Sequence, residues 1–266
     1  MDLVDTHCHL DRPEFDADRD AVVARARAAG VRRVLVPAIG PAWWDGLLDL
    51  VARGGGYLSC GLGIHPQEVP AIDPADDAHV LRRLGELLQA GRGVAVGECG
   101  LDGPTAEREA GGSMERQLQL FEAQLGLARD LRLPLLLHVF RCQGEALRVL
   151  ERFGRLPAGG VLHSYSGSAE LVKRWAKLDL HFSFTGPVTF EASRRVHEAA
   201  RAVPADRLLL ESDAPDQPPC GHRGERNEPG FLPEVARALA KLRGEEAEEL
   251  AARTTLNAGR LFGYEN

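Results

Sequence analysis

Eight short apolar runs recur along the chain, and each is followed by a stretch whose apolar residues return at three- and four-residue intervals. The runs are LVDTH (3–7), VRRVLVPA (31–38), GYLSCGL (56–62), GVAVGE (93–98), LPLLLH (133–138), GGVLHSY (159–165), HFSFTG (181–186) and RLLLESD (207–213). Between them lie DADRDAVVARARAAG, WWDGLLDLVARG, PADDAHVLRRLGELLQAG, SMERQLQLFEAQLGLARDL, GEALRVLERFG, AELVKRWAKL and SRRVHEAARAV; FLPEVARALAKL and EEAEELAARTTLNAGRLF follow the last run. Nearly all-apolar runs between amphipathic stretches predict a parallel sheet covered by helices. Eight such units predict an α/β fold, a (β/α)8 TIM-type barrel, with residues 1–266 forming a single domain. A doubly wound open sheet is the alternative, but no GxGxxG follows the first run. The GGG at 54–56 has no Lys or Ser/Thr after it and reads as a helix stop.

The polar residues fall in register with this pattern. His7 and His9, Glu98, His138, His163 and Asp213 close apolar runs, and His65 lies just past the third. In a barrel these ends converge on the face where barrel enzymes carry their chemistry. His7 and His9 are two apart, so in an extended segment both imidazoles share a face while Cys8 turns away. A lone HxH usually holds one packed and one solvated histidine; ligand-type residues at four further strand ends favour metal ligation. Imidazole suits zinc, iron, cobalt and nickel, and carboxylate oxygens widen the menu to manganese and magnesium. Glu98 ends an apolar strand, where a carboxylate is costly unless paired or metal-bound, and its two oxygens could bridge two ions. Asp213 could bind metal and also take a proton from attacking water. Glu211 lies deeper and is expected to be structural.

Composition narrows the classes. Hydrophobic residues make up 44% and charged residues 27%, as in soluble globular proteins. Aromatics at 6% and a net charge of -7 speak against a broad nucleic-acid-binding surface without chemistry. The five cysteines are scattered, with no CxxC pair, as in a reduced, cytoplasmic chain. Asp2 and Asp5 stand where a signal peptide would want basic residues, and no run approaches the roughly 20 apolar residues of a membrane span. Cys8 and Cys99 each follow a proposed ligand, so alternation turns them away, and Cys142 too reads as a buried, inert thiol. No GxSxG supports a serine triad at Ser164 or Ser212.

Nine blocks carry a resemblance over the whole length: DTHCHLD (5–11), GLGIHP (61–66), VGECGLD (96–102), QLQLFEAQLGLARDLRLPLLLH (117–138), LHSYSGS (162–168), FSFTGPVTF (182–190), LLLESDAP (208–215), RGERNEP (223–229) and NAGRLFG (257–263). In this order they resemble the TatD-type family of metal-dependent deoxyribonucleases, a branch of the amidohydrolase-like barrels. The resemblance implies a barrel with two divalent metal ions (Mg2+, Mn2+ or Zn2+) cleaving phosphodiester bonds in DNA as an exonuclease. It implies His7 and His9 as ligands of the first metal, completed by Asp213. Glu98 would bridge, and His138 and His163 would hold the second metal. His65 resembles a residue near the substrate phosphate, and Arg223 and Asn227 lie in a block expected near the mouth of the site. Departures occur on loops: Gly103 and Pro104 stand where the family usually has aromatic residues, Arg141 sits one residue later than usual, and Asp216 replaces a frequent Tyr. They bear on substrate preference rather than on the ligands.

The leading expectation is therefore two-metal phosphodiester hydrolysis, with Glu98 and Asp213 catalytic and His65 or Arg141 on the phosphate. DNA is the expected partner, with no membrane and no stable protein partner implied. A second reading is an amidohydrolase or lactonase acting on a small substrate; two-metal barrels of that kind often bridge with a modified lysine, and here no Lys precedes Lys173. A third is a non-catalytic, metal-bound nucleic-acid-binding module, disfavoured by the acidic balance.

Overall fold

In the computed structural model, which describes residues 1–108 and 111–264, the eight runs form parallel strands. These are β1 (Leu3–Asp5), β2 (Val31–Pro37), β3 (Leu58–Leu62), β4 (Ala95–Asp102), β5 (Leu135–Phe140), β6 (Gly160–Leu162), β7 (Leu180–Phe184) and β8 (Leu208–Leu210). They pair in sequence order. Just beyond the paired residues, Thr6 N donates to Leu210 O at 3.1 Å and Asp213 N to His7 O at 2.8 Å, which joins the first strand to the last. The expected barrel is formed.

The helices are α1 (Arg19–Ala28), α2 (Trp44–Arg53), α3 (Asp77–Gln89), α4 (Gly103–Arg108), α5 (Met114–Leu131), α6 (Gln143–Phe153), α7 (Ala169–Ala176), α8 (Arg194–Ala202), α9 (Leu232–Arg243) and α10 (Ala247–Phe262). Short α4 had no counterpart in the sequence reading, because GPTAER opens with two residues that signal a turn; proline is also tolerated in a helix's first turn. Between strands and helices lies the main core, with Phe15, Trp44, Phe121 and Trp175 fully buried. Inside the barrel, Val4, Leu35, Ala95, Leu136, Val161 and Leu209 pack with Ala258 and Phe262 of α10, which plug the end away from the histidines.

Two glutamines carry the order of α5 into the loops at the other end. Ser113 caps this helix by accepting from Arg116 N. On its buried face, Gln124 accepts from Ile64 N at 2.8 Å, and Gln117 accepts from Asp102 N at 2.8 Å while donating to Asp102 O at 3.1 Å. Backbone groups that would otherwise be orphaned beside His65 and Asp102 are thereby satisfied.

The strand bounds differ from the expected ones in a way that matters. The first, sixth and eighth strands are shorter than the apolar runs, while β4 and β5 run past Glu98 and His138 as a pair, matching Gly100 with His138 and Asp102 with Phe140. Alternation from Ala95, an interior residue, would aim Cys99 into the barrel and Glu98 out. The ladder instead shifts register between Val96 and Cys99, a bulge that reverses the phase. Glu98 then points inward, with Asp102 four residues on, and Cys99 and Leu101 join the outer core. A similar reversal follows β1, where Leu3 and Cys8 both belong to the outer core.

Glycine is required at this bulge. Gly97 has φ +143° and Gly100 φ +140°, and a Cβ would stand 2.5 Å from Leu136 O at the first and 2.0 Å from His138 O at the second. Gly97→Ala is expected to lower the thermal midpoint by about 5–10 °C, from a backbone strain of about 1–3 kcal/mol plus the clash. Calorimetry of the purified variant checks this; an unchanged midpoint would show that the strand absorbs a side chain there.

Candidate metal centre

The phase of each strand sets where its ligand-type side chain points. Val161 and Leu136 face the barrel interior, so His163 and His138, two residues further on, rise from the same face. Together with Glu98 they meet His7, His9 and Asp213 above the interior core.

Two groups of atoms converge around the two oxygens of Glu98, which is 1% exposed. In the first, His7 Nε2 lies 3.1 Å and His9 Nε2 3.6 Å from Glu98 Oε2. Asp213 Oδ1 is 3.7 Å from both imidazole nitrogens, which are 3.3 Å apart. In the second, His138 Nδ1 and His163 Nε2 lie 3.0 and 2.9 Å from Glu98 Oε1 and 3.2 Å from each other. Neighbouring donors in a tetrahedral shell with bonds of about 2.0–2.1 Å stand about 3.3–3.4 Å apart. The first cluster, at 3.1 to 3.7 Å, spreads around that spacing, and the second, at 2.9 to 3.2 Å, is tighter and within hydrogen-bond range.

The protons on these rings sharpen the assignment. His138 Nε2 donates to Asp102 Oδ2 at 3.0 Å, which leaves Nδ1 as the lone-pair atom of a neutral ring facing Glu98. Asp102 is itself fixed by Thr105 N at 2.8 Å and Gln67 Nε2 at 3.1 Å. His163 turns Nδ1 toward Glu211 Oε1 at 3.7 Å and presents Nε2 to Glu98. His65 has the opposite polarity: its Nδ1 accepts from Gln67 N at 3.0 Å, so Nε2 of the neutral ring carries the proton. That atom lies 3.1 Å from Glu98 Oε1 and from His138 Nδ1. His65 therefore stands beside the second cluster as a hydrogen-bond donor aimed at oxygen, not as a fourth lone pair.

Burial alone would raise the Glu98 pKa, yet the surrounding His163, His65 and His7 rings hold it well below the ordinary carboxylate range. Burial also opposes a proton on His163, but the Glu98 and Glu211 carboxylates overcome this and raise its pKa. Asp213 is pushed up to about 6 by burial, with His163 and His7 opposing. Imidazole nitrogens face one another at 3.3 Å in the first group and 3.2 Å in the second. Opposed lone pairs or opposed protons at that distance are unfavourable, and a cation between them relieves both. The residues present fit divalent metal: His7 with His9 and Glu98, His65 with Glu98 and His138, and His7 with His163 and Glu211 each bring their ligand atoms within 4.8 Å of one another.

Supporting residues lie just outside. Gln217 donates to Asp213 Oδ2 and is held by Thr185 Oγ1 at 2.8 Å, leaving Asp213 Oδ1 to face the histidines. Asp5, fully buried, accepts from Ser212 N at 2.9 Å, Ser212 Oγ at 2.6 Å and His7 N at 3.3 Å, tying both ends of the first cluster together. Burial drives its pKa up to about 7 despite these bonds. Asp5, Asp102 and Gln217 were missed as functional residues. Asp5 and Asp102 do lie in the quoted DTHCHLD and GECGLD blocks, and a carboxylate two or four residues from a ligand on an apolar strand is the signal. Glu211, expected to be structural, is buried among Ser164 N, Ser183 Oγ and His163, and its carboxylate also gathers with His7 and His163.

The expected substrate contacts separate. Arg141 is exposed and lies over the Phe140 ring, at 5.2 Å from its centroid, beside Asp102. Arg223 is exposed, with its guanidinium 6.0 Å from the centroid of the Phe190 ring. Asn227 corrects the expectation: it is 1% exposed, and its Nδ2 donates to Ser212 O and Asp216 O, both at 2.7 Å. Its neighbours in the RGERNEP block are likewise structural, with Arg226 paired to Asp18 and Glu228 to Arg25. The loop after β8 is held by this block through Asn227, Arg226 and Glu228. Cys8, Cys99 and Cys142 are buried, and burial raises all three thiol pKa values.

The family model described as TatD related DNase matches residues 4–263. The chain is 34% identical over 260 residues to the metal-dependent hydrolase YabD of Bacillus subtilis strain 168, covering 98% of each chain. It is 35% identical to the 3'-5' ssDNA/RNA exonuclease TatD of Erwinia amylovora, covering 98% of this chain and 100% of that one. The crystal structure of YjjV, a TatD homologue from Escherichia coli K12, superposes with a TM-score of 0.90 at 34% identity, over 99% of this chain and 98% of that one. With a parallel barrel, paired His/Glu clusters and full-length similarity together, the chain belongs to the TatD-related DNase family of metal-dependent hydrolases.

Proposed function

We propose that this chain hydrolyses phosphodiester bonds in DNA, with His7, His9, Glu98 and Asp213 holding one divalent cation and Glu98, His138 and His163 a second. The observation that carries this is Glu98, whose two oxygens each face a different group of imidazole nitrogens at 2.9 to 3.6 Å. Mg2+, Mn2+ or Zn2+ suits the mixed nitrogen and oxygen donors. When bound, paired divalent ions supply Lewis acidity that activates water and neutralises charge on the phosphoryl group.

The chain's own residues do the rest. Asp213 accepts the proton of the attacking water; Gln217 holds its Oδ2 and so turns Oδ1, the oxygen that would also face the first cation, toward the site. His65 Nε2–H donates to a phosphoryl oxygen, with Nδ1 locked by Gln67 N so that the donor stays aimed. Asp102 keeps His138 in the tautomer that offers Nδ1. The name of the Erwinia relative extends the proposal to exonuclease action on single strands. No helix among the described residues is long and apolar enough to cross a membrane.

Glu98→Ala is expected to abolish cleavage of end-labelled single-stranded DNA while leaving a folded barrel; full activity of this variant in a defined metal buffer would remove Glu98 from both clusters. Asp102→Asn should weaken metal binding about 10–100-fold by loosening His138, as such supporting partners do, and calorimetric titration of the metal-free protein reads this directly. Protons compete with metal for these ligands. Below about pH 6, Asp213 of the metal-free protein takes up its proton, so affinity should fall by about tenfold or more for each pH unit below that point. A pH-independent affinity between 5 and 7 would contradict the ligand set. Assays with simple amide and lactone substrates alongside DNA separate this reading from small-molecule hydrolysis.

A further inference from the structure

Among the described residues the exposed large apolar side chains are Phe140, 40% exposed, and Leu256 on α10. A phenyl ring left in water at the rim of an active site calls for a partner. Leu136, His138 and Phe140 alternate along β5 on one face: Leu136 packs inside the barrel, His138 reaches the second cluster, and Phe140 emerges at the mouth. Its ring centroid is 6.5 Å from that of His138. Across the ladder it is matched with Asp102, the carboxylate that orients His138. The ring therefore sits within the span of one nucleotide from the proposed point of cleavage.

Phe140 also lines a cavity of about 350 Å³ together with Gln67, Asp102, Thr105, Arg108 and Arg141. Arg141 lies against the ring at 5.2 Å and makes no ion pair among the described residues. Gly103 and Pro104 leave this edge without another aromatic ring. An aromatic ring with a guanidinium over it that pairs with no carboxylate among the described residues fits a nucleobase and the phosphate that follows it, whatever the base, because every base has a π face.

We propose that Phe140 is a stacking platform for the nucleobase on the His138 side of the scissile phosphate, with Arg141 on the neighbouring phosphate. The inference rests on the nuclease reading and names its substrate more closely: an unpaired base, since a base in a duplex is already stacked on both faces. Phe140 is a substrate contact that sets KM, separate from the groups that carry the chemistry.

The test pairs a substitution with removal of the base. Phe140→Ala is expected to raise KM for a single-stranded oligonucleotide about tenfold, within the range of measured base–aromatic stacking, with kcat little changed and Phe140→Tyr restoring it. On an oligonucleotide with an abasic residue at the position flanking cleavage, wild type and Phe140→Ala should have equal KM. Equal losses on both substrates, or none on either, would overturn the proposal. Binding is read independently of cleavage by the fluorescence of 2-aminopurine at that position in the Glu98→Ala background: quenching should be lost with Phe140→Ala and kept with Phe140→Tyr. Quenching without any cleavage by wild type would refute the nuclease reading and leave the stacking site standing. Cleavage by wild type with quenching unchanged by Phe140→Ala would refute the stacking site and leave the nuclease reading.

Discussion

A single buried carboxylate organises this protein. Glu98 is almost wholly removed from water, where an unpartnered charge costs several kcal/mol, and the imidazoles of five histidines close around it. Those rings come from segments spread from His7 to His163, so the charge can be satisfied only when the barrel is closed and its strands are in register. Asp102 fixes the proton of His138 and Gln67 N that of His65, while Glu211 faces Nδ1 of His163 at 3.7 Å. The site is thus an electrostatic problem distributed over the whole fold, and its solution depends on the position of one side chain.

Stability and chemistry are divided between the two ends of the barrel, as is general for this architecture. At one end α10 inserts Ala258 and Phe262 beneath the interior aliphatic layer. At the other, α5 reaches over with Gln117 and Gln124 to satisfy loop backbone that the strands leave open. These are neutral side chains, and they order the loops without adding charge to a site already dense in it. The RGERNEP block does the same for the loop after β8, through Asn227 and two ion pairs to Asp18 and Arg25.

The architecture and the convergent residues could be read from the apolar runs and what closes them, because burial on both faces and a polar residue at the run's end are both one-dimensional signals. The helices between the strands were legible for the same reason. What could not be read was phase. Nothing in VAVGECGLD announces that alternation reverses between Val96 and Cys99, and strict alternation from Ala95 would have put the wrong residue inward. The tautomer of His65 was equally hidden, since it depends on Gln67 N, a backbone group whose direction only the folded loop defines. Asn227 was misplaced because a polar residue in a loop looks alike whether it faces solvent or staples three carbonyls.

The phase reversals have a consequence for which elements the centre can hold. Two of the chain's thiols, Cys8 and Cys99, stand directly beside proposed ligands in sequence, one of them between two histidines. Had either strand kept its original alternation, sulfur would point into the barrel, and soft ions such as cuprous copper would find the donor they prefer. Because both segments turn over at the critical residue, the sulfurs lie in the outer core and any cation in the centre meets nitrogen and oxygen alone. Orientation therefore leaves the centre with nitrogen and oxygen donors, in a chain whose composition would have permitted sulfur.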